Sequence, residues 1–432
     1  YRPWMLAELA RFSQRPVAAR RRRIAEALLR QIRLFGTRAD ALPEWREAAR
    51  IRDADSLLRE FPSLPIVTKS MLRERFPAAE VAKVCGLRGR VGSSGGSTGE
   101  PTHFFHDDAM LASGEAKALY TRLRLGWRPG MATICVWGSD RDIGKDEPWR
   151  ARAVRALRRE HLLAGYRLGP DTAREFVALV TAHAPVVAYG FTSMLTDVAR
   201  LALDLGLRVP RGAIRVAWNG GEGLDAEQSE LFRRAFGVGL HNVYGGRELS
   251  TIAAQVQLGS SLEVLRPLSF VEIVDDAGRP VEPGSPGRLL VTSTVCCGTP
   301  FLRYEVGDMA VADPAATDAS GIGALAEISG RRTGILRLPT GATIQNIYWN
   351  HLFKEYPEVH QFQVVVRDGE LLLRLRGSGF SRETEHALRA QLSRVLGPTP
   401  VKLEWLPELP RTALGKLLQV VDERRSGTGP GS

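Results

Sequence analysis

Apolar positions along this chain recur with two different spacings, and the changeover between them divides it. Up to about residue 80 the spacing is helical, with breaks marked by Pro62, Pro65 and Pro77. Ile24, Ala27, Leu28 and Ile32 form one stripe beside the run Ala19-Arg20-Arg21-Arg22-Arg23. This predicts an amphipathic helix with a solvated basic face. Binding of that face to an anionic membrane is the alternative. Further on, short apolar runs alternate with amphipathic stretches. Residues 131–137 read as a buried strand stopped by Gly138. Asp171 caps a helix reaching about His183, and 186–189 is a strand ended by Gly190. A helix over 192–205 follows, with Leu195, Val198, Leu201, Ala202 and Leu205 on one face and Gly206 as its stop. Residues 213–218 and 240–243 read as strands flanking a helix opened by the capping pair Asp225 and Gln228. Strands alternating with helices predict an α/β sheet covered on both faces.

From about residue 268 hairpins take over. Strands over 270–274 and 288–294 are joined across Asp275, Asp276 and Gly278. Gly330-Arg331-Arg332-Thr333-Gly334 reads as a linker. Beyond it come a hairpin (362–367 and 370–375, about Asp368-Gly369), a helix over 382–396 stopped by Gly397, and a strand over 401–405. The predicted organisation is α/β: a large N-terminal domain, 1–330, with helix-flanked sheets and a β-rich subdomain, then a small α+β C-terminal domain, 331–432. No internal repeat is present.

Composition narrows the class. The 432 residues exceed one ordinary core, and 44% hydrophobic with 25% charged residues is a globular balance. The net charge of +11 attracts anions in general. No basic strand interleaved with aromatics accompanies it, so no specific nucleic-acid partner is expected. Four cysteines without a CxxC pair suit a reducing cytoplasm rather than a disulfide framework or zinc finger. No run of about 20 apolar residues predicts a transmembrane helix. No leader is read at the start, Tyr1, and 427–432 reads as a flexible tail.

Four segments carry candidate chemistry. Ser93, Ser94, Gly95, Gly96, Ser97, Thr98 and Gly99 combine three glycines with four hydroxyls, a composition that lets successive N–H groups converge on one phosphate. A surface turn has the same composition, and no Walker lysine follows. Tyr244-Gly245-Gly246-Arg247-Glu248 follows a predicted strand, where α/β sheets place ligands. Its tyrosine can stack on a purine, and its glutamate can ligate phosphate-bound Mg²⁺; a core tyrosine in an ordinary turn is the plainer reading. Arg303-Tyr304 with Gly307-Asp308 offers a carboxylate that can accept from both ribose hydroxyls, or a simple turn aspartate. Gly415-Lys416 places a lysine on a loop, either solvated or used as a movable cation.

In this order the segments resemble the adenylate-forming superfamily of acyl-CoA ligases, nonribosomal adenylation domains and luciferases, over about residues 57–422. The nearest likeness is to its phenylacetate–CoA ligase branch, especially the capsule-biosynthesis type. Leu64-Pro65-Ile66-Val67-Thr68-Lys69, Asn219-Gly220-Gly221-Glu222, Pro300-Phe301-Leu302 and Gly330-Arg331 add to the likeness. Glu100 stands where many relatives have lysine, and Arg247 where many have threonine. Gln255-Val256 and the cysteine-free stretch 310–330 lack the ligands of the zinc cluster some relatives carry, so no zinc is expected.

The resemblance implies a reaction. ATP is held by Ser93 to Gly99, its adenine by Tyr244 beside Gly221 and Glu222, and its ribose by Asp308 with Arg331 nearby. Glu248 binds Mg²⁺, and Lys416, on a mobile C-terminal domain, offsets the charge that develops as a carboxylic acid becomes its acyl-AMP. The acceptor is then a thiol, of CoA or a carrier protein. An amine or hydroxyl acceptor, and a nucleotide-binding protein without turnover, are the alternatives. Trp137, Tyr189, Phe191, Trp218 and His241 are candidates for the acid pocket, and their rings favour an aryl or other compact acid; plain core packing is the competing reading.

Overall fold

A computed structural model describes residues 2–94, 102–137, 149–163, 168–331, 336–337, 343–344, 349, 352–353, 355–411 and 417–425. It divides into two compact units, with the partition between Ile328 and Ser329. The first opens with helices α1 (Pro3–Phe12), α2 (Val17–Gly36), α3 (Pro43–Ala48), α4 (Ala54–Glu60), α5 (Lys69–Glu74) and α6 (Ala78–Cys85). In α2 the stripe Ile24, Ala27, Leu28 and Ile32 is buried as its spacing requires. The basic side is not a free face. Arg20 pairs with Asp318 at 2.7 Å, Arg21 with Asp55 at 3.0 Å, Arg22 with Glu26 at 2.8 Å and Arg23 with Glu8 at 2.8 Å. The apolar stripe of α2 is in the core, and each of these four arginines pairs with a carboxylate.

A hairpin of β1 (Gly89–Ser94) and β2 (Thr102–Asp107) leads into α7 (Asp108–Leu125). Asp107 joins the two, because its Oδ1 accepts from the Ala109 and Met110 amides and its Oδ2 from those of Cys297 and Gly298. Then come β3 (Ala132–Val136), α8 (Trp149–Leu157), β4 (Glu160–Leu163), α9 (Pro170–His183), β5 (Val186–Gly190), α10 (Thr192–Asp204), β6 (Ile214–Asn219), α11 (Ala226–Phe236) and β7 (Leu240–His241). The strands form a parallel sheet in the order β4-β3-β5-β6-β7. Its central strands are apolar on both faces, as helix-covered parallel strands must be.

Three local expectations are corrected here. Helix α9 is capped by Gly169, with Pro170 at its first position; Asp171 instead accepts from Arg174. Leu205 is exposed, beyond the end of the apolar face of α10. The expected strand over 240–243 is two strands, broken at Asn242. There the chain leaves the parallel sheet and β8 (Val243–Gly246) enters another.

That second sheet holds β8, β9 (Ser250–Ala254), β10 (Leu262–Val264), β11 (Ser269–Val274), β12 (Pro286–Ser293), β13 (Tyr304–Ala312) and the strand Ala324–Arg331. Gly330 and Arg331 thus end a strand instead of forming a linker. Residues 332–335 lie outside the described set. Arg303, buried with φ +44, fastens this sheet to the N-terminal helices. It pairs with Glu272 at 3.1 Å and donates to the carbonyls of Leu64 and Gly278. Removing one partner of such a buried pair typically costs about 3–5 kcal/mol. Beside it, Val67 forms a single parallel bridge with Tyr304, just before the Thr68 cap of α5.

The second unit is built on a four-stranded sheet. Val359–Arg367 and Glu370–Gly377 form its hairpin, with Val401–Trp405 and Val420–Asp422 pairing in parallel on either side. The helix Arg382–Leu396 is capped by Ser381 and stops at Gly397. Among the described residues no helix is long and apolar enough to cross a membrane.

Candidate functional site

Two β-bulges shape one wall of the candidate site. In β13 the pairing with β12 shifts between Arg288 and Leu290, which leaves Val306, Gly307 and Asp308 unpaired in register. Gly307 takes φ +93, a value that favours glycine. In β8 the register shifts between Tyr244 and Gly245. Bulges re-aim side chains, and these two turn Tyr244 and Asp308 together: the tyrosine hydroxyl donates to Asp308 Oδ2 at 2.5 Å. At the β8–β9 tip, Glu248 Oε1 accepts from the Tyr304 hydroxyl at 3.4 Å. Arg247 donates to the Ser93 carbonyl at 3.3 Å, so the arginine in place of threonine ties this tip to the first residue of the expected phosphate loop.

The tip is braced from behind. His106 bonds the Glu248 carbonyl at 2.8 Å through Nε2, and Lys117 donates to the Leu249 carbonyl at 2.5 Å. Lys117 is 1% exposed, and burial drives its pKa from the usual lysine range down to about 7. Burial also lowers that of His106, against the opposing effect of its bond to Glu248. Neither residue was foreseen; a lysine on a helix reads as solvated, and only its placement between α7 and β9 buries it.

The second wall is aromatic. Trp137, just past β3, lies between Tyr189 and Phe191, with ring centroids 5.2 and 3.8 Å away and both pairs stacked. Trp218 tilts against Tyr189 at 5.8 Å. Phe191 and Trp218 are buried, whereas Trp137 and Tyr189 keep partial exposure. His241 adjoins Trp218 in register, and its Nδ1 bonds the Gln255 carbonyl at 2.9 Å. Burial lowers its pKa below the normal histidine range and raises that of Tyr189.

The turn Gly220-Gly221-Glu222 sits between the walls. A Cβ on Gly221, where φ is +75, would fall 2.6 Å from the Phe191 ring. Gly221 is thus required by the ring stack itself. Glu222 accepts from the amide and hydroxyl of Ser193 at 2.8 and 3.1 Å, which ties the turn to the start of α10. Asn219, fully buried, is the hub that was not foreseen as a site residue. It donates to Thr192 Oγ1 and the Glu222 carbonyl, and accepts from the Val243 amide, all at 2.9 Å. It therefore joins the end of the parallel sheet to the first residue of β8.

Of the expected site residues, Tyr244, Asp308 and Glu248 share one wall, and Gly221 and Glu222 share the turn beside Trp137, Tyr189, Phe191, Trp218 and His241. Ser93 and Ser94 end β1. Gly95, Gly96, Ser97, Thr98, Gly99 and Lys416 lie outside the described residues, as does the side chain of Arg331. Among the described residues no cluster of three or more metal-binding side chains occurs. Glu248 alone fits Mg²⁺ of the kind held mainly by substrate phosphates and water.

Residues 160–297 match the AMP-binding enzyme family. That segment thus resembles AMP-binding enzymes, and the chain as a whole has the fold of acyl-CoA ligases. Phenylacetate-coenzyme A ligase of Thermus thermophilus is 25% identical to it over 409 residues, 85% of this chain and 88% of that protein. The structure of 2-hydroxyisobutyryl-CoA ligase in its postadenylation state superposes with a TM-score of 0.73 at 20% identity, over 96% of this chain and 92% of that one. An anthranilate CoA ligase bound to anthranoyl-AMP gives 0.53 at 16% identity, over 76% and 65%.

Proposed function

We propose that the protein activates a small carboxylic acid with ATP as its acyl-adenylate, releasing pyrophosphate, and passes the acyl group to the thiol of CoA. The observation that carries this reading is the joined pair Tyr244 and Asp308, brought together by two bulged strands. Asp308 Oδ1 and Oδ2 accept from the ribose hydroxyls, and Tyr244 presents its ring to adenine while its hydroxyl holds the aspartate in place. Glu248 would hold Mg²⁺, which would offset phosphate charge. Trp137 and Tyr189 bound the acid's site, which supports a flat, compact acid. The backbone from Ser93 to Gly99 holds the phosphates, and Lys416 supplies the cation that meets charge developing at the α-phosphate; loss of such a group typically costs about a hundredfold in rate. The names of the relatives favour CoA over a carrier protein as the acceptor, and the cysteine pattern fits a cytoplasmic enzyme.

The test is acid-dependent ATP–pyrophosphate exchange across aryl, aliphatic and amino acids, followed by AMP release with and without CoA. Exchange with at least one acid, abolished in Lys416→Ala, is expected. No exchange with any acid, despite measurable ATP binding, would leave only a nucleotide-binding role. Exchange without CoA-dependent AMP release would move the acceptor to another class.

A further inference from the structure

One guanidinium in the first unit is held on three sides and open on the fourth. Arg266, just past β10, lines a groove of about 290 Å³ together with Leu9, Phe12, Tyr120 and Ala315. Its Nη1 donates to Ser320 Oγ at 3.1 Å and to the Gly321 carbonyl at 3.2 Å. The guanidinium lies over the Phe12 ring, 5.4 Å from the centroid. Nη2 is so close to Gly323 that a Cβ there would fall 2.6 Å from it. The remaining edge, Nε with Nη2, donates to nothing among the described residues, and neither atom is sealed from solvent. Elsewhere in this chain that edge takes a carboxylate: Arg38 places Nε and Nη2 on the two oxygens of Asp40 at 2.9 and 2.7 Å. The carboxylates beside the groove are already taken. Asp318 Oδ2 accepts from Arg20 at 2.7 Å, and its Oδ1 accepts from the amide and hydroxyl of Ser320 at 2.7 and 2.5 Å. Glu263 accepts from Arg124 at 3.1 Å. Three arginines thus meet two carboxylates, and Arg266 is the one without an ion pair among the described residues. Burial lowers its pKa, an effect that Asp318 opposes and Arg20 reinforces.

We propose that this groove binds a small organic oxyanion, a carboxylate or phosphate on a compact apolar body, seated on the Nε–Nη2 edge of Arg266. A planar two-donor edge matches both anions, and a guanidinium already held in place loses little freedom on binding. The volume lies at the low end of the range of roughly 300–1,000 Å³ found for ligand sites. It therefore suits a single ring with its anionic group and excludes a nucleotide. Tyr120, Ala315 and Ala316 give the ring an apolar lining. None of the residues of the groove belongs to the candidate site, so this inference is independent of the proposed reaction.

The experiment is calorimetric titration of the full chain with benzoate, with phenyl phosphate and with uncharged benzyl alcohol. At least one of the two anions should bind saturably, and the tighter of them names the headgroup; the alcohol should not bind. Arg266→Lys keeps the positive charge and loses the two-donor edge. Ala315→Phe, at an exposed position, fills the groove and leaves the bonds of Arg266 alone, so it reads the site should the first variant fold poorly. Each should weaken the anion by about tenfold or more. Trp137→Ala should leave that binding intact, which separates the groove from the aromatic wall. No saturable binding of either anion, or binding that a folded groove variant leaves unchanged, overturns the proposal. Equal binding of benzyl alcohol, or binding lost in Trp137→Ala instead, overturns it as well.

Discussion

The two walls of the site are built on opposite principles. The wall of β8, β9 and β13 is polar, bulged and held by directed hydrogen bonds: Tyr244 to Asp308, Tyr304 to Glu248, and His106 and Lys117 to the backbone of the tip. The wall at the ends of β3, β5 and β6 is a stack of rings with few directed bonds. Directed bonds fix a geometry and suit a constant ligand, which is the role proposed for this wall with the nucleotide. Ring packing sets a shape, which can change with the acid. The difference teaches that recognition of ATP and choice of acid should be separable in variants.

The largest effect that tests this separation is at Asp308. Asp308→Ala removes the proposed acceptor for ribose and the carboxylate to which the Tyr244 hydroxyl donates. Hydrogen bonds to a charged group contribute about 1.5–3 kcal/mol, so ATP affinity should fall by about tenfold to a hundredfold. KM for the acid should hold. Calorimetric titration with ATP and acid saturation in the exchange assay measure the two sides. An equal shift in both would mean the walls act as one.

Next in size is the brace behind the polar wall. Lys117 titrates at about 7 in the fold and near 10.5 when unfolded. Between these values the unfolded chain binds the extra proton, so stability rises with pH across that window. Below about 7 the folded protein carries the full cost of a buried ammonium. From pH 7 to 9 the wild type should gain about 2 kcal/mol relative to Lys117→Met. Urea unfolding of both proteins at each pH gives this difference. A constant gap would show that Lys117 is solvated or charge-paired. No counterpart is expected at the aromatic wall, where Tyr189 and Cys135 are pushed up and out of the range by burial.

Trp137→Ala probes the other wall. It unstacks Tyr189 and Phe191 and opens space beside Gly220. A lost apolar contact of this kind changes discrimination by about tenfold. KM for a compact acid should rise by that factor, bulkier acids should improve, and ATP affinity should stay put. A fall in ATP affinity with no change in acid preference would assign the stack to adenine.

The same contrast explains what could be read in advance. Tyr244, Asp308 and Glu248 are chemically loaded residues next to or near glycines, so their types and order drew attention to them. The stops at Gly190, Gly206 and Gly397 and the capping pair Asp225 and Gln228 are local rules, and local rules are legible. Asn219 was not, because its importance comes from joining Thr192, Glu222 and Val243, partners set by tertiary folding. The break at Asn242 was missed because periodicity says that a segment is a strand and not which sheet it joins. The α9 cap was misassigned since Asp171 is a good cap by type, but Pro170 before it already occupies the first helical position. The ring stack was visible only as composition; that Phe191 and Trp218 are covered while Trp137 and Tyr189 are partly open depends on packing.

The smallest predicted effect is the most discriminating. Tyr244→Phe keeps the ring and removes only the hydroxyl that donates to Asp308. If Tyr244 serves the nucleotide mainly by stacking, the loss reaches ATP only through a freer Asp308. One hydrogen bond to a carboxylate, partly replaced by water at this half-buried position, leaves a change of severalfold in ATP affinity. Tyr244→Ala removes the stacking surface as well and should cost more. In the background of Asp308→Ala the phenylalanine change should then have almost no effect, since the hydroxyl has lost its acceptor. A double-mutant cycle on ATP affinity reads this coupling directly. Strict additivity would show that the tyrosine hydroxyl acts on the nucleotide by itself, and the polar wall would then be a set of separate contacts instead of a braced unit.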